Sequence, residues 1–123
     1  MIINFNNQKP FVEGVDLNDL ISTINTPFYV YSQKSIIESY KKINNFINAE
    51  IFYSVKANSN QAILALMKNL GAGADVVSIG ELTRALKVGM PPNKIIFEGV
   101  GKSNRDLDFA ITNKIRQINI ESK

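Results

Sequence analysis

Gly71-Ala72-Gly73-Ala74-Asp75-Val76-Val77-Ser78-Ile79-Gly80-Glu81-Leu82 runs from the end of one helix, through a short strand, to the start of another. Gly71 follows the apolar-periodic segment Gln61 to Leu70, where a helix C-cap belongs. Ala74 to Val77 is a short apolar run of the kind that parallel sheets bury. Ser78 or Gly80 can cap the next helix, Gly80 to Val88. Glu81 falls in its first turn, where negative charge suits the helix dipole.

The same unit recurs on both sides. Upstream, Phe28-Tyr29-Val30-Tyr31 follows the turn signal Thr26-Pro27 and reads as a strand. Ser32 is an N-cap for a helix from Gln33 to Ile47, with Ile36, Ile37, Tyr40, Ile43 and Ile47 at helical spacing. Ile51 to Val55 is a second strand. Downstream of Gly89, Pro91-Pro92 opens a turn, Lys94 to Phe97 is a strand, Arg105 to Asn113 a helix, and Arg116 to Ile120 the start of a fifth strand. The repeat is about 20–25 residues long, and strands alternating with helices at that spacing argue for a parallel sheet with right-handed crossovers. Residues 1–26 read as irregular. Asn4, Asn6, Asn7, Pro10 and Gly14 interrupt their apolar stretches, and Leu17 to Ile24 makes one or two helical turns.

Composition narrows the function classes. The chain has 123 residues, 45% hydrophobic and 20% charged, with a formal net charge of +3. That is a globular composition, not a disordered, collagen-like or coiled-coil one. No apolar run approaches the ~18–20 residues of a membrane span, and no charged-then-apolar signal segment opens the chain. The pI is near 9.2, yet the lysines are dispersed, so neither nucleic acid nor membrane is an expected partner. With no Cys and no His, disulfides, Cys/His metal sites and Ser/Cys–His triads are excluded, and the expected location is cytoplasmic.

Two closures accommodate the pattern. One is a five-stranded doubly wound sheet; the other is the first half of a (β/α)8 barrel, which needs ~250 residues to close. A doubly wound fold usually carries a glycine-rich phosphate loop after its first strand, and Tyr31-Ser32-Gln33-Lys34 has no glycine.

Lys56, in Tyr53-Ser54-Val55-Lys56-Ala57-Asn58, stands at the C-terminal end of a strand, where α/β folds place ligands. A partly desolvated lysine there is nucleophilic enough to form an imine with an aldehyde; the plainer reading is a lysine that ends the strand and reaches water. Asp75 lies in an apolar strand, where an unpaired carboxylate is costly, and an adjacent strand carrying Lys56 offers a partner that it would orient. Glu81 is explained equally by helix initiation. Gly99-Val100-Gly101-Lys102-Ser103 has the look of a phosphate loop, but the pattern needs Gly at position 96, where Ile stands. A βα turn capped by Ser103 or Asn104 accounts for it.

Together, Tyr53-to-Asn58, Leu64, Leu70-Gly71, Gly73-to-Ser78, Gly80-Glu81-Leu82, Phe97-to-Lys102 and Ile118-to-Ser122 resemble the diaminopimelate decarboxylase family. That family belongs to the pyridoxal-phosphate-dependent ornithine/diaminopimelate/arginine decarboxylase group, of the alanine-racemase-like fold type. The resemblance runs from Thr26 to Ser122. It implies an N-terminal (β/α)8 barrel followed by a C-terminal β domain, in a chain more than three times this long. Residues 27–123 would be the first half of that barrel, about four βα units and the start of a fifth strand, cut before closure. Lys56 matches the lysine that holds pyridoxal 5'-phosphate as a Schiff base, and Asp75 and Glu81 match acidic positions near it. Ile79 departs from the small residue of many relatives.

The implied reaction turns meso-diaminopimelate into L-lysine and CO2, the last step of lysine biosynthesis, in a homodimer with active sites at its interface. The family's phosphate-binding glycines, ring-stacking histidine and partner-subunit cysteine come later in its sequence. The expectation is therefore a fragment or truncated product, inactive alone. The alternatives are a sister decarboxylase acting on ornithine, arginine or carboxynorspermidine, and a self-contained α/β module for a phosphorylated ligand.

Overall fold

Two hairpin turns shape the first of the chain's two units. Asn7 (φ 48°) and Gln8 (φ 64°) are both left-handed, the conformation of a two-residue turn whose twist matches the strands it joins. They connect β1 (Asn4–Asn6) to β2 (Lys9–Val12), with Asn6 paired to Lys9. Glu13 (φ 51°) and Gly14 (φ 85°) repeat the device between β2 and β3 (Val15–Asp16), with Val12 paired to Val15. Asp16 then caps α1 (Leu17–Thr23), accepting from the Asn18 amide at 2.9 Å. The segment expected to be irregular is thus an antiparallel meander in the order β1-β2-β3. Asn7 and Gly14 lie in hairpin turns, while Asn4, Asn6 and Pro10 are paired strand residues.

The computed structural model describes residues 2–121, and the chain divides into units Met1–Ile47 and Asn48–Lys123. In the first, α2 (Gln33–Asn44) begins at Ser32, whose hydroxyl accepts from the Ser35 amide at 3.0 Å. Glu13 reaches the same helix start. Its carboxylate accepts from the Ser32 hydroxyl and, at 2.8 Å, from the Lys34 amide, and the Ser32 bond is the main reason its pKa lies below the usual range. The strand expected at Phe28 to Tyr31 does not form. Those residues carry no strand pairing, and Tyr29 is 89% exposed. Aromatic β-propensity reflects packing against neighbours and does not act without them.

The second unit is a four-stranded parallel sheet, ordered β4 (Phe52–Ser54), β5 (Gly73–Val76), β6 (Ile95–Phe97), β7 (Gln117–Ile118). Helices α3 (Gln61–Asn69), α4 (Ile79–Lys87) and α5 (Asn104–Thr112) alternate with the strands. Gly71 (φ 94°) and Gly89 (φ 76°) end α3 and α4 in the left-handed conformation expected past a helix terminus. Register partners Phe52–Gly73, Ala74–Ile95 and Ile96–Gln117 are each 21 positions apart.

Alternation then sorts the strands' side chains. Ala74, Val76, Ile95 and Phe97 are buried on one face with Leu64 of α3, Leu82 and Ala85 of α4, and Ala110 of α5. All three helices of this unit cover that face. Burying a large apolar side chain such as Phe97, Leu64, Leu82 or Ile95 contributes roughly 1.5–3 kcal/mol. The alternate row, Ser54, Asp75, Ile96 and Gln117, lies on the other face and outside this core. At the N-terminal edge, Glu50 accepts from Lys94 Nζ at 2.7 Å and from Arg116, which lowers its pKa, Lys94 contributing most.

Candidate functional site

Lys56 sits where the sequence placed it, directly beyond the C-terminal end of β4. It is the middle residue of a single 3-10 turn, Val55–Ala57. Val55 is fully buried and anchors the turn in the core. The Tyr53 hydroxyl donates to the Asn58 carbonyl at 3.1 Å. The Asn58 side chain accepts from the Asn60 amide, and that of Asn60 from the Ala62 amide, both at 2.9 Å, which starts α3. Lys56 itself is exposed, not partly desolvated, and among the described residues its ammonium joins no hydrogen bond or ion pair.

Asp75 is one strand over. In the parallel register it lies opposite Ser54, whose hydroxyl donates to Oδ2 at 3.0 Å. The partner of Asp75 is therefore Ser54 and not Lys56, because Lys56 lies two residues past the register row, in the turn. Asp75 Oδ1 is buried, and among the described residues it has no hydrogen-bond partner. A buried polar atom left unmatched costs on the order of 1–3 kcal/mol, and more when charged.

Glu81 is the third residue of α4. Its amide donates to Ser78 Oγ at 3.2 Å, and its carboxylate accepts from the Val77 amide at 2.9 Å. These bonds start the helix and fix the β5–α4 turn; none reaches Lys56 or Asp75.

The turn after β6 is a helix start. Ser103 caps α5 in a capping box with Asp106, whose carboxylate accepts from the Ser103 hydroxyl at 2.6 Å, from the Ser103 amide at 2.9 Å, and from the Ile79 amide of α4 at 3.3 Å. The Ser103 hydroxyl is the largest reason the Asp106 pKa lies below the usual range. The helix terminus that a bound phosphate would use is thus occupied by its own aspartate. Lys102 is committed as well. Its ammonium donates to Glu121 at 2.9 Å and to the Gly99 carbonyl, and lies 5.9 Å from the centre of the Phe97 ring.

Sequence reasoning missed two groupings here, the Lys102–Glu121 pair and the chain Gln117–Asn119–Glu98, in which each amide donates to the next residue's oxygen. The 21-residue register was the signal available for the second. Continued past the strand ends, it makes 56, 77, 98 and 119 equivalent positions.

Residues 33–123 match the family model described as pyridoxal-dependent decarboxylase, pyridoxal binding domain. A diaminopimelate decarboxylase of Aquifex aeolicus is 44% identical over 124 residues, covering 98% of this chain and 29% of that protein. A crystal structure from Aquifex aeolicus superposes with a TM-score of 0.93 at 42% identity, covering 98% of this chain and 31% of its own. The Helicobacter pylori diaminopimelate decarboxylase crystallised with L-lysine gives a TM-score of 0.81 at 41% identity over 86% of this chain and 28% of its own. The chain thus spans less than a third of the length of these relatives. With the family model covering most of its residues and the sheet superposing on a solved relative, the chain belongs to the pyridoxal-dependent decarboxylases, in their pyridoxal-binding domain.

Proposed function

We propose that this chain is the N-terminal part of a longer pyridoxal-phosphate-dependent decarboxylase that converts meso-diaminopimelate to L-lysine and CO2, with Lys56 as the covalent anchor of the cofactor. The observation that carries the reading is Lys56 at the C-terminal end of a parallel strand, one strand from the buried Asp75 Oδ1, both without a hydrogen-bond partner among the described residues. Residues 1–26 are read as an N-terminal segment and 27–123 as the first half of a (β/α)8 barrel. The helix cover on a single sheet face supports a barrel, since a doubly wound sheet carries helices on both. A groove of about 370 Å³ along Leu107, Ile111, Ile118 and Ile120 supports a further βα unit packing there. The parent protein is read as a cytoplasmic homodimer.

The residues present fit the cofactor. Lys56 supplies a primary amine that no acceptor among the described residues holds. Asp75 supplies a buried acceptor whose cost, about 1–3 kcal/mol while unmatched, a hydrogen-bond donor on a bound molecule would remove. When bound, pyridoxal phosphate supplies an electron sink for the pair left on Cα as CO2 departs. The chain's own residues bind and orient. Lys56 Nζ is the nucleophile. Ser54 fixes Asp75 through Oδ2 and so sets where Oδ1 stands. Glu81 braces the neighbouring turn through the Val77 amide, which is the part it plays beside the cofactor.

The test uses the intact reading frame, supplied with pyridoxal phosphate and meso-diaminopimelate and assayed for lysine and CO2. The wild type forms lysine, Lys56→Ala loses at least about 10³-fold in kcat, and residues 1–123 alone show no turnover. CO2 from ornithine or arginine in place of lysine would move the protein to a sister decarboxylase. Undiminished activity in Lys56→Ala would end the assignment of the anchor.

A further inference from the structure

We infer that Tyr53 is a positioning residue for Lys56, its phenol hydroxyl fastening the turn that presents the amine; this rests on the reading of Lys56 as the cofactor's anchor. Neighbouring strand residues face opposite sides of a sheet, and β4 uses both. Ser54 faces the side without helices and bonds Asp75. Tyr53 faces the helix-covered side, packed against the core and in register with Ala74, whose single methyl leaves space for a ring. From there its hydroxyl donates to the Asn58 carbonyl at 3.1 Å.

Tyr53 precedes the 3-10 turn Val55–Ala57 and Asn58 follows it, so this bond ties the far end of the turn to the strand at its near end. Lys56 Nζ has no acceptor of its own among the described residues, so nothing but backbone geometry fixes where the amine starts from. Val55 holds the turn's first residue in the core, and the Tyr53 hydroxyl holds its exit. Phenylalanine would fill the same volume and remove the bond to the Asn58 carbonyl.

The experiment compares wild type with Tyr53→Phe in the full-length protein that contains this chain. Each is incubated with pyridoxal phosphate and reduced with borohydride, and pyridoxyl adducts are located by peptide mass. Exposed lysines such as Lys41 and Lys114 serve as internal reference. The variant's rate of adduct formation at Lys56 falls about 3- to 10-fold, the scale of one hydrogen bond, while the reference lysines are unchanged. Amide exchange at residues 56–58 accelerates, and kcat falls by a similar factor with KM unchanged. An unchanged rate at Lys56, a fall shared by the reference lysines, or a fall without faster exchange at 56–58 overturns the inference. So does general unfolding of the variant, which would give the hydroxyl a global role in place of a local one. A wild type that forms no adduct at Lys56 instead overturns the anchor reading, a result distinct from all of these.

Discussion

Gly73→Ala is a small change that this structure does not accommodate. A Cβ at Gly73 would lie 2.5 Å from the Lys94 carbonyl oxygen and 2.5 Å from both Cδ1 and Cε1 of Phe52, against a comfortable separation of about 3.5–4.0 Å between carbons. The Phe52 ring can give way, at some cost to its contact with the Arg116 guanidinium 5.3 Å from its centre. The Lys94 oxygen is backbone, held at the entrance to β6, and cannot swing aside. Two terms favour alanine: about 0.4–1 kcal/mol from a stiffer unfolded chain, and up to about 0.8 kcal/mol from a buried methyl. Overpacking against fixed backbone costs about 1–3 kcal/mol, occasionally more, and a carbonyl too close by about 1 Å belongs at or beyond the upper end. Net destabilisation is therefore about 1–2 kcal/mol. At a urea slope of about 2 kcal/mol per molar, the middle of the usual range, the midpoint moves down by about 0.5–1 M in a denaturation series followed by circular dichroism. Repeating the substitution in a Phe52→Leu background should recover part of the loss, because only the ring is relieved. A midpoint for Gly73→Ala equal to or above wild type would refute the reasoning, and full recovery in the Phe52→Leu background would refute the part given to the carbonyl.

The Lys102–Glu121 pair is unequal: the Lys102 side chain is 8% exposed and that of Glu121 35%. Glu121→Gln leaves a buried ammonium with the Gly99 carbonyl but without its counter-charge, whereas Lys102→Met leaves a carboxylate that water can reach, so urea midpoints should rank Lys102→Met as the milder change; the reverse order would contradict the burial argument. Asp106→Asn should cost about 1 kcal/mol at pH 7, the scale of a helix cap. Because the folded pKa of Asp106 is depressed, the wild type's advantage is full above the unfolded value of about 3.9 and fades as pH falls through the lower folded value. Paired urea titrations at pH 7 and pH 2 check this, and an advantage undiminished at pH 2 would count against it.

Much of the parallel sheet was legible because its signals are local and redundant. Ala74 to Val77 and Lys94 to Phe97 are apolar runs bounded by Gly71 and Gly89, and each of those glycines takes the positive φ that ends a helix. Short buried strands and C-capping glycines announce themselves without knowledge of what they touch. Phe28 to Tyr31 carried as strong a local signal and failed, because strand propensity needs a partner to act on. The meander of residues 4–16 was missed for the opposite reason. Its turns, Asn7-Gln8 and Glu13-Gly14, are read as interruptions unless their left-handed geometry is known. At the site, the position of Lys56 could be read from the end of an apolar run. The pairing of Asp75 with Ser54 could not, since it depends on a register no single strand reveals.

The costs in this unit are unevenly placed, and their placement has a physical meaning. The helix-covered face of the sheet is made of residues that cost little to bury, among them Ala74, Val76, Ile95 and Phe97. The opposite face holds Ser54, Asp75, Ile96 and Gln117 in one register row, and at Asp75, whose Oδ1 is buried, an apolar residue of similar size would avoid the penalty for polar burial. Just beyond the strand ends stand an amine with no acceptor among the described residues and a chain of amides leading to Glu98. Stability alone does not select that arrangement, for the unmatched Asp75 oxygen subtracts from it. Departures from local optimality concentrate where a protein meets its ligand, and in parallel sheets ligands meet the C-terminal ends of strands. Lys56 and the unmatched oxygen of Asp75 lie toward that end on adjacent strands, so the energetics of the sheet point to the same place as the chemistry of the lysine.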